Sequence, residues 1–432
     1  MCKSNTLDTI LSAVELGDVM AKLEQVPQIA YVEPDVNGEF ASTSGLLNPL
    51  QWDMTRTSVF NNLTYYGNYF TGNSSGTSGT YVPANYGQGV VIAVVDSGYT
   101  PHPNFMNSLL PLTPGGNQYG YQLFATCGQA CSCAPGENPD TPIPFKADAL
   151  DLCGDPWHGT HLIGVIAANG YNNYSQNQGI SGGAPAAKIV PVRVAGGVQS
   201  PTGFTATVAL SDIINGIMWA GGHHVDGALD NSNPAQVINI SLGIPQPCSS
   251  TPGLAEAIDI LHKEKVNIVA AAMNNTENVN GWVPASCPNV ISVAAAGPTQ
   301  KLIFYSDYGN VTISAAGGDP TYWNGQVYST TCLDDFQNTG CNHQNASNFG
   351  WSYSSGTSEA APHVCAAIAT LLSQFLKLTP DQVIEVLQSS ATPYMMNDNC
   401  NTVIGHSGCV TNGILNTEAA INDATEKYSS FK

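Results

Sequence analysis

Three short segments of this 432-residue chain carry side chains that together suit acyl transfer: Asp96-Ser97-Gly98, His158-Gly159-Thr160-His161 and Gly356-Thr357-Ser358. A serine hydroxyl is a weak nucleophile at neutral pH and needs a neighbouring base, for which His158 is the candidate. Asp96 would hold the tautomer of that imidazole and stabilise its protonated form. Each residue taken singly has a structural explanation, such as a helix cap, but all three in order and in motif favour catalysis.

The chain order of these three residues points to one family, because unrelated folds arrange the same triad in different orders. Asp first and Ser last is the subtilisin order, and the flanking residues agree with it. From about Gln51 to Ala420 the chain resembles a subtilisin-like serine protease (subtilase), of the cysteine-rich secreted bacterial type. The resemblance implies that Ser358 attacks the substrate, His158 shuttles the proton and Asp96 orients His158.

The resemblance also implies an oxyanion site and a substrate-binding edge. Asn274 takes the family position of the amide that stabilises the tetrahedral oxyanion with the backbone N–H of Ser358. Capping of the next turn is the structural alternative. Ser241-Leu242-Gly243 matches the strand edge that adds the substrate as an extra strand. Gly243 is expected to leave room for the side chain before the scissile bond, and an ordinary strand-to-loop junction is the alternative.

Three positions depart from the family pattern. Met273 replaces the usual Gly on the wall of the primary specificity pocket and is expected to narrow or reshape it. Glu359 replaces the Met that commonly follows the nucleophile, and a carboxylate there would raise the pKa of His158 if it lies close. Asn104 replaces an acid that often binds calcium.

The chemistry requires no cofactor, and the sequence contains no redox or nucleotide motif. Structural calcium would use Asp, Asn and backbone oxygens on loops. The sequence does not identify its ligands, and solvated surface charge is the alternative for each acid considered: Asp148, Asp151, Asp155, Asp334 and Asp335.

The charge balance restricts the partners. The chain has 12 Lys and Arg against 32 Asp and Glu, a formal net charge of −20, which argues against nucleic acid and anionic membranes. It contains no apolar run long enough for a membrane span. The expected partners are protein or peptide substrates and the chain's own propeptide as an intramolecular inhibitor, and the expected state is a monomer.

Twelve cysteines favour an exported, disulfide-bonded protein. Cys365 stands alone in an apolar helical run and is expected to be buried and free. The alternatives are reduced thiols in a cytosolic protein, or a zinc site formed by Cys127, Cys131, Cys133 and Cys153. Five disulfides are expected among Cys127, Cys131, Cys133, Cys153, Cys248, Cys287, Cys332, Cys341, Cys400 and Cys409.

The N-terminal region differs from the rest. An amphipathic helix ending near Pro27 and a strand over residues 28–35 resemble the last part of a subtilase propeptide. A short N-terminal arm is the alternative. No signal sequence is recognisable, which fits a chain that begins inside the propeptide of a secreted protein. The predicted organisation is a propeptide segment over 1–40, a linker and mature start over 41–88, a peptidase domain over 89–424 and a tail over 425–432.

Alternating strands and helices from residue 89 onward predict the α/β class. Apolar runs such as 90–95 suit parallel strands buried on both faces, and repeated βα units imply a doubly wound parallel sheet with helices on both faces. Active sites of such sheets lie at the carboxyl ends of the strands, where Asp96, Ser241 and Asn274 fall. The predicted strands are 90–95, 188–194, 237–241, 267–272 and 290–295, and the predicted helices are 159–168, 206–221, 254–263 and 363–378.

The sequence therefore predicts a secreted serine endopeptidase that works through an acyl-enzyme. The alternative is a catalytically silent subtilase fold used for binding or adhesion, for which Met273 and Glu359 are the only support. The candidate nucleophile Ser358 does not stand in a Gly-x-Ser-x-Gly elbow, which argues against an esterase of the α/β-hydrolase type.

Overall fold

The computed structural model describes most of the region predicted as a peptidase domain and two short strands before it. The described residues are 37–40, 43–45, 86–123, 146–149, 157–169, 180–200, 203–322, 325–332, 349–394 and 412–431. The predicted propeptide helix and the strand over 28–35 lie outside these ranges.

The strands within these ranges are β1 (Asn37–Phe40), β2 (Thr43–Gly45), β3 (Val91–Asp96), β4 (Tyr121–Gln122), β5 (Lys146–Ala147), β6 (Lys188–Arg193), β7 (Ala195–Ser200), β8 (Gly203–Ala209), β9 (Val237–Ile240), β10 (Leu242–Gly243), β11 (Asn267–Ala271), β12 (Val290–Ala296), β13 (Ile313–Ala316), β14 (Val327–Cys332) and β15 (Phe349–Ser355). The α-helices are α1 (Trp157–Ala167), α2 (Leu210–Ala220), α3 (Pro252–Lys263), α4 (Thr357–Gln374), α5 (Pro380–Ser389) and α6 (Thr417–Tyr428).

An eight-stranded sheet forms the centre of the fold, in the order β13-β12-β11-β9-β3-β6-β4-β5. Its strands are parallel except β5, which pairs antiparallel with β4 at one edge. The chain adds strands on one side of β3 and then on the other, so the strand order reverses beside β3. The predicted doubly wound α/β sheet is thus confirmed.

The sheet is covered on both faces because its strands are apolar on both sides. Along β3, Ile92 and Val94 belong to a hydrophobic cluster that includes residues of α1 and α4. Ala93 and Val95 belong to a second cluster that includes residues of α2 and α3. Burying a valine or isoleucine side chain stabilises the fold by about 1.5–3 kcal/mol.

Two helices begin four and six residues away from their predicted starts, whereas α1 and α3 begin within two residues of theirs. The segment predicted as a helix over 206–221 starts as β8, which forms a hairpin with β7, and α2 begins only at Leu210. Pairing with β7 therefore overrides local helix propensity. The helix predicted to start at His363 begins at Thr357, so Ser358 lies in its first turn.

Two smaller antiparallel sheets flank the central one, with strand orders β10-β1-β8-β7 and β14-β15-β2. Both recruit a strand from the N-terminal region, although the sequence predicted a loop over the residues of β2. At the other end, α6 continues across the boundary predicted at residue 424. Within the described residues, no helix is long and apolar enough to span a membrane.

Candidate active site

Asp96 and His158 form a buried hydrogen-bonded pair. Asp96 is the last residue of β3 and His158 the second residue of α1, and both are fully buried. The Nδ1 atom of His158 lies 2.7 Å from Oδ1 of Asp96. A carboxylate only accepts hydrogen bonds, so Nδ1 carries the hydrogen and Nε2 is left as the basic nitrogen.

Glycines bring α1 against the end of β3. A Cβ atom on Gly159 would lie 2.1 Å from the carbonyl oxygen of Gly98, so a side chain there would clash with the backbone. Gly98 itself has φ of +102°, a conformation that favours glycine. The backbone N–H of Gly159 donates to Oγ of Ser97 at 3.1 Å. The glycines of both motifs therefore set the separation between Asp96 and His158.

Ser358 is fixed by a reciprocal pair of hydrogen bonds with Ser241, which directly follows β9. Oγ of Ser358 donates to the carbonyl oxygen of Ser241, and Oγ of Ser241 donates to the carbonyl oxygen of Ser358, both at 3.0 Å. In a regular helix the N–H of residue 362 would bond that last carbonyl, but Pro362 has none. The proline thus leaves the carbonyl of Ser358 available to Ser241.

Asn274 presents an unused amide donor next to the helix that carries Ser358. Its Oδ1 accepts from the backbone N–H of Thr357 at 2.9 Å and from the hydroxyl of Thr357 at 3.1 Å. Its Nδ2 is buried and has no hydrogen-bond partner among the described residues. A buried donor that is held in place and unsatisfied suits a site where negative charge develops.

The predicted substrate-binding edge already holds a strand of the same chain. β1 pairs antiparallel with β10, with Glu39 opposite Gly243 and Phe40 opposite Leu242. The other side of β1 pairs antiparallel with β8. Leu242 and Gly243 of the predicted edge thus pair with an added antiparallel strand.

The space expected beside Gly243 is filled. A Cβ atom on Gly243 would lie 2.7 Å from Sδ of Met273 and 3.1 Å from the carbonyl oxygen of Val283. Met273 is 1% exposed and has φ of +86°, a conformation that favours the glycine usual in the family. Its side chain therefore takes the room that Gly243 was expected to provide, and the narrowing of the specificity pocket stays a prediction.

Glu359 is fully buried and faces His161, one turn after His158 on α1. Oε1 of Glu359 lies 3.7 Å from Nδ1 of His161. Burial raises the pKa of Glu359 from 4.5 to about 7, partly opposed by attraction to His158. The carboxyl group thus lies inside the protein, and its charge acts on His158.

Two of the residues considered for calcium, Asn104 and Asp148, lie in the described part of the chain, and each has a side-chain hydrogen-bond partner there. Oδ1 of Asn104 accepts a hydrogen bond from the indole N–H of Trp351 at 2.7 Å. Oδ1 of Asp148 accepts from the hydroxyl of Tyr99 at 2.9 Å. No group of three or more His, Cys, Asp or Glu side chains among the described residues is arranged to hold a metal. Asp151, Asp155, Asp334 and Asp335 lie outside those residues.

The described cysteines agree in part with the disulfide prediction. Cys248 and Cys287 are bonded to each other, and Cys332 also forms a disulfide. Cys365 is free and buried, as predicted. The other predicted disulfide cysteines, including the group over 127–153, lie outside the described residues.

Sequence reasoning assigned no role to three residues that support the site: Thr357, Asn239 and His161. Thr357 holds Asn274, and Nδ2 of Asn239 donates to Oγ of Ser241 at 3.0 Å. A polar Asn inside the apolar strand β9 is a detectable signal, because buried amides need partners. His161 lies three residues after His158, a spacing that places both on neighbouring parts of one helix surface.

Comparison with known proteins identifies the family of this chain. The Subtilase family model matches residues 87–414. The chain is 33% identical over 349 residues to an extracellular protease of Xanthomonas campestris pv. campestris, covering 78% of this chain and 52% of that protein. An extracellular basic protease of Dichelobacter nodosus is 32% identical over 353 residues, covering 78% and 51%. The chain thus spans about half the length of these two relatives.

A solved structure gives the same result for the fold. A protease from Pseudoalteromonas arctica superposes with a TM-score of 0.62 at 30% identity, covering 83% of this chain and 97% of that one. The family model alone covers well over half of the chain, and it includes all three candidate catalytic residues. The chain therefore belongs to the subtilase family.

Proposed function

We propose that this chain is a secreted serine endopeptidase that hydrolyses peptide bonds through an acyl-enzyme. The observation that carries the proposal is the buried Asp96–His158 hydrogen bond of 2.7 Å at the carboxyl edge of the sheet. Ser358 belongs to the same edge, in the first turn of α4, where free backbone N–H groups favour negative charge. Extracellular relatives and disulfide bonds support secretion.

In the proposed mechanism the hydroxyl of Ser358 turns from the Ser241 carbonyl towards His158. Oγ attacks the peptide carbonyl carbon while Nε2 of His158 takes the proton, and Asp96 stabilises the imidazolium. The oxyanion receives hydrogen bonds from Nδ2 of Asn274 and the N–H of Ser358. His158 returns the proton to the leaving amine as the C–N bond breaks, and water then hydrolyses the ester by the same steps.

Ser358→Ala tests the assignment of the nucleophile. The variant should lose both proteolysis of denatured casein and labelling by a fluorophosphonate, because only an activated serine reacts. Ser373→Ala is the matched control, since Ser373 lies on the same helix and its hydroxyl bonds the carbonyl of Thr370 at 2.8 Å. Activity of Ser358→Ala near that of the parent would refute the assignment.

The silent-fold alternative is tested by the same reagent. Met273 and Glu359 are buried beside the site, but neither interrupts the Asp96–His158 pair. A parent protein that folds yet neither labels nor cleaves would establish the alternative and end the protease proposal.

We also propose that the N-terminal segment is the chain's own inhibitor. β1 lies between β10 and β8, so a substrate strand can pair with β10 only after β1 leaves. Phe40 pairs with Leu242. Leu242 directly follows Ser241, and the carbonyl oxygen of Ser241 accepts a hydrogen bond from the hydroxyl of Ser358. The segment therefore approaches the nucleophile in the manner of a bound substrate.

The second N-terminal strand, β2, pairs with β15 just before the nucleophile in the sequence. Thr43 of β2 pairs antiparallel with Ser355, three residues before Ser358. Only three peptide bonds separate Phe40 from Thr43. We place self-cleavage within them and favour the central one, Ala41–Ser42, whose small residues suit a pocket narrowed by Met273.

Mass spectrometry of the purified protein tests this placement. The active parent should begin at Ser42, while Ser358→Ala should retain the N-terminal segment. Adding purified Ser358→Ala to the mature enzyme would show whether the cut is made within one chain or between chains. Active enzyme that keeps Phe40 joined to Thr43 would overturn the placement without affecting the proposed nucleophile.

A further inference from the structure

Glu359 and His161 are two buried polar side chains that share no ordinary hydrogen bond. Both are fully buried, and Oε1 and Nδ1 face each other at 3.7 Å. Within the described residues, neither the carboxyl oxygens of Glu359 nor Nδ1 of His161 has a partner at full hydrogen-bonding distance and angle. The hydroxyl of Ser354 interacts with Glu359, and the carbonyl of Val327 interacts with His161. Unsatisfied polar atoms are costly inside a protein, so a proton between these two groups would remove a penalty from both.

The second nitrogen of His161 decides which group carries that proton. Nε2 of His161 lies 3.3 Å from the carbonyl oxygen of Ser352, which can only accept. Nε2 therefore bears the hydrogen, and in the neutral ring Nδ1 is a bare acceptor aimed at Glu359. A protonated Glu359 completes the pair without placing any charge in the interior.

Burial favours the uncharged form of both groups. It raises the pKa of Glu359 to about 7 and lowers the pKa of His161 to about 3, so an uncharged pair is favoured over an ion pair at mildly acidic pH. The carbonyl of Glu359 is separately bonded by Nδ1 of His363 at 2.7 Å. Polar and titratable groups that face the pair are His158 on α1, Asp96 on β3, His363 on α4, Ser352 and Ser354 on β15, Val327 of β14 through its carbonyl, and Tyr305.

We propose that a protonated Glu359 donates a hydrogen bond to Nδ1 of His161. Loss of this proton adds a second negative charge beside the catalytic Asp96–His158 pair, and its return removes that charge. With the proton present, Glu359 carries no charge, and Asp96 remains hydrogen-bonded to His158. With the proton lost, Glu359 adds a charge that stabilises the imidazolium. Glu359 is thus a positioning residue that acts on His158 through its charge. This role of Glu359 in catalysis rests on the function proposed above.

Nuclear magnetic resonance tests the pair without relying on activity. Side-chain nitrogen shifts of histidine distinguish the protonated ring from each neutral tautomer. In the Ser358→Ala protein, His161, assigned by its absence in His161→Gln, should show the neutral Nε2–H tautomer from about pH 5 to 8. A doubly protonated His161 in this range, or the Nδ1–H tautomer, would overturn the pair even if the protein proved to be an active protease.

The rate profile tests the effect on catalysis. Glu359→Gln keeps a donor for Nδ1 of His161 and removes the charge, so the acidic limb of kcat/KM should move to lower pH by up to about one unit. Glu359→Met removes both the donor and the charge. It should move the acidic limb as far as Glu359→Gln does, but its melting temperature should be lower than that of Glu359→Gln. Glu256→Gln, an exposed residue of α3, should not move the limb. Superimposable profiles of the parent and Glu359→Gln would overturn the proposed action on His158.

Discussion

Replacing Glu359 by Gln should make the protein more stable at neutral pH, because it removes a carboxylate that must ionise in the interior. The pKa of Glu359 is raised by burial from 4.5 to about 7. A difference of about 2.5 in pKa corresponds to about 3 kcal/mol, at about 1.4 kcal/mol for each pKa unit. Gln has nearly the same shape and retains a donor for His161, so packing changes little.

The sign follows from proton linkage. The folded state holds the Glu359 proton more tightly than the unfolded state, so this stabilisation is complete below pH 4.5 and is lost as pH rises to about 7. The free energy of unfolding of the parent should therefore fall by about 3 kcal/mol across this window relative to Glu359→Gln. The lowered pKa of His161 produces the opposite slope at acidic pH, but it is present in both proteins and largely cancels in the difference.

Urea unfolding followed by tryptophan fluorescence measures this difference. Both proteins would carry Ser358→Ala to prevent self-digestion, and the free energies of unfolding would be compared at pH 4.5, 6 and 8. Equal stability at pH 4.5 with a growing advantage for Gln at higher pH is the expected result. A difference that does not change with pH would refute the reasoning, because it would show that Glu359 does not bind its proton more tightly on folding.

Three other changes have defined outcomes. Asn274→Ala should lower kcat by about 10²–10³ with little change in KM, a magnitude known from subtilisin itself, and a change in KM alone would contradict the oxyanion role. Met273→Gly should raise kcat/KM for peptides with a large residue before the scissile bond relative to those with Ala, and an unchanged ratio would show that Met273 does not limit the pocket. Replacing Cys248 and Cys287 together by Ser should lower the free energy of unfolding by about 4 kcal/mol in the chain-entropy model for a separation of 39 residues; no loss in urea unfolding would mean that strain offsets the constraint.

Much of the fold was predictable because its determinants are local. The apolar run that forms β3 predicted a strand buried on both faces, and the structure has that strand at Val91–Asp96. The starts of α2 and α4 were not predicted correctly. In the first case strand pairing with β7 competes with helix propensity, and in the second the helix continues through Pro362, which local rules treat as a breaker.

The sequence by itself determined the family, the α/β class and the three motifs, because residue type and order carry that information. Only the tertiary structure decided how buried groups meet across the chain: Glu359 against His161, Met273 against Gly243, and β1 on the edge formed by β10. These contacts join residues far apart in sequence, and their energies depend on burial and distance. The sequence shows a carboxylate next to a serine but does not show whether it faces water or the core. Only in the core does burial keep this carboxyl group protonated between about pH 4.5 and 7.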